Sequence, residues 1–314
     1  MMFRSKKTIN NNALLTIGML LIFHINSCST TKPILKIGLI ADPQYKDTPK
    51  RGDRHYNKSL WKLKEAIDTL NYHKVDFIQN LGDIIDDEWR SYDSIIPIYA
   101  TINPEIENYH VLGNHDFSVD SIKKSDVLKT LSMPDYYYSY VKKKWRFIVL
   151  DGTDYAYFSN SVHKHSIDKI DVLYAKTKGK ENHYIWNAGV GDKQKKWLKK
   201  ELRIAESLHQ DVIVFSHYPV RPYHSATLWN SDEIVAILKS SSSVVAHING
   251  HHHVGGYAFE DGIHYITIFA MVNTKISSYA IINLYKDSLV IKGYGNQKSM
   301  TLQKHTLNKN IEQY

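Results

Sequence analysis

Five times along this chain a short apolar run stops abruptly at a loop carrying a carboxylate, an amide or an imidazole. Residues 34–41 end in Asp42-Pro43-Gln44, and residues 75–80 lead into Leu81-Gly82-Asp83-Ile84-Ile85-Asp86. Residues 109–112 lead into Gly113-Asn114-His115-Asp116, residues 212–215 into Ser216-His217-Tyr218-Pro219, and residues 244–248 into Asn249-Gly250-His251-His252-His253. Short apolar runs bounded by turn residues read as buried strands opening into loops. In an open α/β sheet such strand ends line one crevice, where ligands bind. Five loops with metal-ligating side chains are therefore expected to converge.

The rest of the chain supports such a sheet. Leu60, Leu63, Ile67 and Leu70 recur at helical spacing and predict a helix over about 56–72. Further strands are expected at 145–150, 264–269, 279–284 and 288–291, and further helices at about 89–102, 121–131, 192–208 and 231–239. Strand and helix alternate in the first half and strands dominate the end, which reads as one α/β domain with two sheets. Residues 152–189 are polar and aromatic and read as a functional insertion.

Composition narrows the chemistry. The 314 residues hold one cysteine, Cys28, and 17 histidines. A single thiol forms neither an internal disulfide nor a four-cysteine zinc cage, so a metal must be held by His, Asp, Glu, Asn or Gln. The formal charge is +8, and Arg4, Lys6 and Lys7 supply three of it within a 27-residue stretch free of acids, leaving +5 for the rest. That mild excess favours anionic ligands and lacks the clustering of a nucleic-acid binder. Those three cations precede an apolar stretch at 13–25 that is too short to span a bilayer and suits a signal peptide over residues 1–27. Ile25-Asn26-Ser27-Cys28 resembles a bacterial lipobox. The expectation is an exported lipoprotein anchored to the cell envelope by a lipid on Cys28, with residues 28–33 as a tether.

Taken in order, Asp42-x-Gln44, Gly82-Asp83-x-x-Asp86, Gly113-Asn114-His115-Asp116, the lone His217 after a strand, and Gly250-His251-x-His253 resemble the calcineurin-like metallophosphoesterase superfamily over residues 34–293. The resemblance implies a four-layer α/β sandwich, two mixed β-sheets flanked by helices, followed by a tail at 294–314. That family's pattern usually begins Asp-x-His, and Gln44 stands where the second His would be. The manganese-dependent ADP-ribose/CDP-alcohol diphosphatases share this departure. Arg54-His55-Tyr56, Trp186-Asn187-Ala188-Gly189-Val190-Gly191 and the Gly255-Gly256-Tyr257 that trails His253 are also similar to that branch.

Carried over position by position, the resemblance implies Asp42, Gln44 and His253 on one metal, Asn114, His217 and His251 on another, and Asp83 bridging them. It implies two divalent ions, Mn²⁺ foremost, with Mg²⁺, iron and zinc as alternatives. An amide oxygen in place of an imidazole at Gln44 favours Mn²⁺ or Mg²⁺. A bridging hydroxide would attack phosphorus in line with the leaving group. His115 would meet the phosphate or leaving oxygen, with Asp116 orienting its ring, and Asp86 would stand behind the ligands. His252 is left facing either solvent or substrate. Arg54 and His55 are candidates for a distal phosphate, Tyr56 stands with them as a substrate contact, and Tyr223, Trp186 and Trp229 are candidates for a nucleobase. The implied substrate is a small nucleoside diphosphate compound such as ADP-ribose or a CDP-alcohol. A phosphomonoesterase or cyclic nucleotide phosphodiesterase of the same fold is the alternative within that chemistry, and a nucleotide-binding lipoprotein without turnover is the alternative outside it.

Overall fold

The computed structural model describes Met1 and residues 32–304. Cys28 and the 1–27 segment lie outside these apart from Met1, as do residues 305–314. The first half builds β1 (Leu35–Ile40), α1 (Ser59–Tyr72), β2 (Phe77–Asn80), α2 (Arg90–Tyr99), β3 (Glu107–His110), α3 (Val127–Thr130), β4 (Tyr138–Lys142) and β5 (Trp145–Val149). The 152–189 stretch contributes two helices, α4 (Asn160–His163) and α5 (Ile167–Ala175). The chain continues through α6 (Asp192–Ser207), β6 (Asp211–Phe215), α7 (Ser231–Lys239), β7 (Val244–Asn249), β8 (Gly256–Glu260) and β9 (Ile263–Thr267). Among the described residues the last elements are β10 (Tyr279–Leu284), β11 (Ser288–Tyr294) and β12 (Met300–Gln303).

These strands form two six-stranded mixed sheets, in the orders β12-β11-β10-β1-β2-β3 and β4-β5-β6-β7-β9-β8. In the first, β1, β2 and β3 are parallel, and in the second β5, β6, β7 and β9 are parallel. Period-two alternation tells the layers apart. Phe147, Val149, Ile213 and Phe215 join the core shared with the first sheet, whereas Ile148, Val212 and Val214 face Leu198, Leu202, Ile234 and Leu238 of α6 and α7. Phe77 of the first sheet meets Phe147 of the second edge-on, with ring centroids 5.0 Å apart. On the opposite side, Leu63, Ala66, Ile67 and Leu70 of α1 pack on the first sheet at helical spacing. The result is helix, sheet, sheet, helix, as expected of a metallophosphoesterase sandwich.

Several boundaries differ from the sequence expectation. The third strand is β3, ending at His110, so Val111 and Leu112 already belong to the buried turn. The helix expected over 121–131 is a 3₁₀ turn (Ser121–Asp126) followed by the single turn of α3. The fold also continues past residue 293, where a tail was expected. β12 pairs with β11 and seats Leu302 opposite Leu289, both buried.

Candidate metal centre

Five of the parallel strands end at candidate ligands. Asp42 and Gln44 follow β1, Asp83 follows β2, Asn114 follows β3, His217 follows β6, and His251 and His253 follow β7. The turns that swing these side chains inward are strained: Asp42, Gln44, Asp83 and His251 all have left-handed backbones, with φ of 49°, 42°, 55° and 63°. Non-glycine residues pay about 1–2 kcal/mol there, and such strain concentrates at functional sites. Two glycines make the close approach possible. A Cβ on Gly113 would lie 2.2 Å from Asp83 Oδ1, and one on Gly250 would lie 2.6 Å from Asp42 Oδ2.

The side chains form one connected group. Asp83 Oδ2 lies 3.1 Å from Gln44 Nε2 on one side and 3.1 Å from His217 Nε2 on the other. Gln44 Nε2 is 3.4 Å from His253 Nε2, which is 3.7 Å from Asp42 Oδ1. His217 Nε2 is 3.1 Å from His251 Nδ1. Asp83 thus sits between a group of Asp42, Gln44 and His253 and a pair of His217 and His251, the division expected of two metal positions. Asn114 lines the same cleft of about 610 Å³.

Second partners set which nitrogen of each histidine faces inward. His217 Nδ1 donates to the Leu81 carbonyl at 2.7 Å, His251 Nε2 to Asn187 Oδ1 at 3.1 Å, and His253 Nδ1 to Asn273 Oδ1 at 2.5 Å. The inward nitrogens His217 Nε2 and His251 Nδ1 then face each other beside the fully buried Asp83 carboxylate, an arrangement that calls for a positive charge between them, a proton or a metal ion. The Gln44 amide makes the same point. Its Oε1 is buried with no hydrogen-bond partner, and turning the amide over would place that oxygen among the donors, as a metal would require. These residues fit two divalent ions.

The electrostatics agree. Burial alone would lower the His217 imidazole, but the Asp83 carboxylate beside it outweighs burial and raises it to about 9. Burial pushes the Asp42 carboxyl up to about 7, with His217 opposing and Asp83 adding to the rise. Burial also holds His253 down to about 4, with Arg54 contributing. Negative charge is thus concentrated at Asp83, and two of the three imidazoles are held neutral, because burial lowers His251 as well.

The structure reassigns one residue outright. Asp116 does not touch the His115 ring: it is fully buried and accepts the backbone N–H groups of Asp83, Ile84 and Gly113, each at 2.9 Å, and the Tyr92 hydroxyl at 3.2 Å. It braces the Asp83 turn. The partner of His115 is Asp86, whose carbonyl accepts Nδ1–H at 2.6 Å and whose carboxylate lies 3.5 Å from the same nitrogen. His115 and Arg54 both line the cleft, and Arg54 reaches within 3.9 Å of the Asp86 carboxylate.

The substrate candidates divide. Trp186 lines the cleft, about half exposed and stacked on Tyr184 at 4.0 Å. Tyr56 is instead buried against Ala270 and Val272, because the 3₁₀ turn before α1 points it into that small apolar cluster. Tyr223 lies outside the cleft and spends its hydroxyl on Asn182 at 2.6 Å. Trp229 is a core residue packed on Ile170 and Leu173, with its indole N–H on the Tyr184 carbonyl. His55 is buried and donates its backbone N–H to Val272, and His252 stacks on His224 at 3.9 Å.

Three residues beyond the expected set support the centre. Asn187 and Asn273 orient His251 and His253 as described. Lys62 on α1 is buried and points its ammonium at the carbonyls of Met271, Val272 and Thr274, at 2.5, 3.4 and 3.0 Å, fixing the loop that carries Asn273. The Trp-Asn-x-x-Val-Gly motif was the one signal in the sequence that pointed to Asn187. Nothing comparable marks Asn273 or Lys62.

Comparison with known proteins agrees with this geometry. A family model described as calcineurin-like phosphoesterase matches residues 35–255. The chain is 28% identical over 303 residues to the manganese-dependent ADP-ribose/CDP-alcohol diphosphatase of Arabidopsis thaliana, covering 85% of this chain and 96% of that protein. It is 27% identical over 317 residues to the enzyme of that name from Danio rerio, covering 86% and 98%. Among solved structures, a dimetal phosphatase from Danio rerio matches with a TM-score of 0.76 at 26% identity, covering 87% of this chain and all of that one.

Proposed function

Because this chain belongs to the calcineurin-like phosphoesterase family and is a metal-dependent hydrolase, we propose that it cleaves the diphosphate bond of nucleoside diphosphate compounds of the ADP-ribose and CDP-alcohol type. The observation that carries this reading is the similarity to relatives bearing that name over 96% and 98% of their length, and the Gln44 amide beside Asp83, which the resemblance associates with that branch, supports it. The same relatives support Mn²⁺ as the metal. In the reaction water adds to one phosphorus, the P–O–P bond breaks, and two phosphomonoesters leave.

When bound, two divalent ions supply the charge that acidifies water and stabilises the developing negative charge on the phosphoryl oxygens. Asp42, Gln44 and His253 would hold one, Asn114, His217 and His251 the other, and Asp83 both. The rest falls to side chains at the cleft. His115 keeps Nδ1 on Asp86, leaving Nε2 free to meet the substrate and, when the ring is cationic, to give a proton to the leaving oxygen. Arg54 at the rim would pair with the second phosphate. Trp186, backed by Tyr184, offers a flat face to the base.

The test is chromatographic separation of products from ADP-ribose, 4-nitrophenyl phosphate and cyclic AMP with Mn²⁺. The expected result is AMP and ribose 5-phosphate from ADP-ribose, ahead of the other two substrates. Cleavage of only the monoester or the cyclic ester would replace this reading by the alternative within the family, and binding of ADP-ribose without any turnover would leave a nucleotide-binding protein. We propose further, from the Ile25-Asn26-Ser27-Cys28 motif, that the chain is an envelope lipoprotein. Metabolic labelling with a radioactive fatty acid should mark the wild-type protein and not Cys28→Ala.

A further inference from the structure

A second group of imidazoles and carboxylates lies outside the cleft. Asp151 and Asp154 sit in the loop after β5, His163 closes α4, and His165 follows two residues later, beyond the left-handed turn at Lys164. His165 Nε2 is 2.7 Å from Asp154 Oδ1, and His163 Nε2 is 3.2 Å from Asp151 Oδ2. Metal-capable atoms of Asp154, His163 and His165 all lie within 4.8 Å of one another. The two rings are nearly parallel, 10° apart.

Each carboxylate is anchored to the surrounding loop through one oxygen and turns the other toward an imidazole, Asp154 Oδ1 meeting His165 Nε2 at 2.7 Å. Asp151 Oδ1 accepts the backbone N–H and the hydroxyl of Thr153, and Asp154 Oδ2 accepts Gly191 N–H and Gln194 Nε2. That leaves Asp151 Oδ2 and Asp154 Oδ1 turned toward the two imidazoles. The Asn160 side chain clamps both the N–H and the carbonyl of His165. Asp151 is 1% exposed and the His163 side chain 7%, yet Asp151 Oδ2 and His163 Nε2 make no hydrogen bond although they face each other. A buried polar atom left without a hydrogen bond costs about 1–3 kcal/mol, and a cation held at His163 beside the Asp151 carboxylate offsets that cost.

We propose that Asp154, His163 and His165 form a separate mononuclear site for a divalent transition ion of the Zn²⁺ type, with Asp151 standing beside His163. Two imidazoles and one carboxylate are donors of the kind zinc takes, with a water completing a tetrahedral set, and the nearby Asp151 carboxylate adds to the charge balance. The site has no place in the cleft, so its role is to pin the insertion. It ties the β5 loop to α4 and, through Asp154 and Gly191, to the end of the segment that presents Trp186 and Asn187. The proposal is independent of which phosphate ester the enzyme cleaves.

The test counts zinc. Full-length protein is stripped with a chelator, reloaded with excess Zn²⁺, desalted and analysed by mass spectrometry of the metal, alongside His163→Ala/His165→Ala. The double variant should hold one Zn²⁺ fewer per chain than the wild type, and equal contents overturn the proposal. Should the variant fail to fold, wild-type crystals grown with Zn²⁺ decide the matter. An anomalous peak at the zinc edge between His163 and His165 supports the site, and its absence where the cleft ions are visible refutes it.

Discussion

The two sheets bring different chemistry to the cleft. The loops of the first sheet contribute oxygen-bearing side chains, Asp42, Gln44, Asp83 and Asn114, whereas those of the second contribute only imidazoles, His217, His251 and His253. Neither set completes a metal shell. The hard donors lie on β1, β2 and β3, the borderline ones on β6 and β7, and Asp83 is the atom group in contact with both. Metal binding in this fold therefore reports on the docking of one sheet against the other. A chelator should lower the melting temperature as well as the activity.

The comparison is broken most severely at Asp83. Asp83→Ala removes the one carboxylate that reaches across, and should empty both positions and cost about 10³-fold or more in turnover, read by metal analysis and kcat. Next comes His115→Ala, which should lower kcat by about 10²–10⁴-fold with metal content retained. A loss of metal would show that His115 belongs to the ligand shell. The two acids beside it should separate cleanly. Asp86→Asn should reduce kcat with little change in melting temperature, whereas Asp116→Ala should cost about 3 kcal/mol or more of stability by leaving buried N–H groups unpaired. Asn187→Ala frees the His251 ring and should weaken metal affinity by about 10–100-fold, measured by competition with a chelating dye.

The smallest effect on turnover is expected at Lys62→Met, where the readout is stability against pH. Burial pushes the Lys62 ammonium down to about 7 from an ordinary 10.5. Between those values the unfolded chain binds more protons than the folded one, so stability rises with pH across that window, and the cost of the buried charge is full below it. Lys62→Met should flatten that part of a melting-temperature profile. An unchanged slope would show that the three carbonyls, and not burial, govern its protonation.

What was legible in the sequence follows the same physics. Parallel central strands are apolar on both faces, so β1, β2, β5, β6 and β7 stood out as continuous runs, and the ligands stood out as the residues that ended them. Three of the four edge strands carry no such mark. β4, β8 and β12 (Tyr-Ser-Tyr-Val-Lys, Gly-Tyr-Ala-Phe-Glu and Met-Thr-Leu-Gln) alternate polar with apolar residues and were not read. Asp116 was misplaced because adjacency in sequence suggested contact with His115. On a tight turn neighbouring side chains diverge, and the partner came from Asp86, 29 residues away. Asn273 and Lys62 act through tertiary contacts about 20 and 210 residues long, which no local pattern encodes.

The left-handed turns at Asp42, Gln44, Asp83 and His251 carry a trade-off between endurance and activity. Each is a place where glycine would relax the backbone by about 1 kcal/mol, so a chain selected only for thermal robustness would drift toward losing the side chains that do its chemistry. A library screened for melting temperature without metal should enrich glycine at these positions, and the same library screened with Mn²⁺ present should purge it.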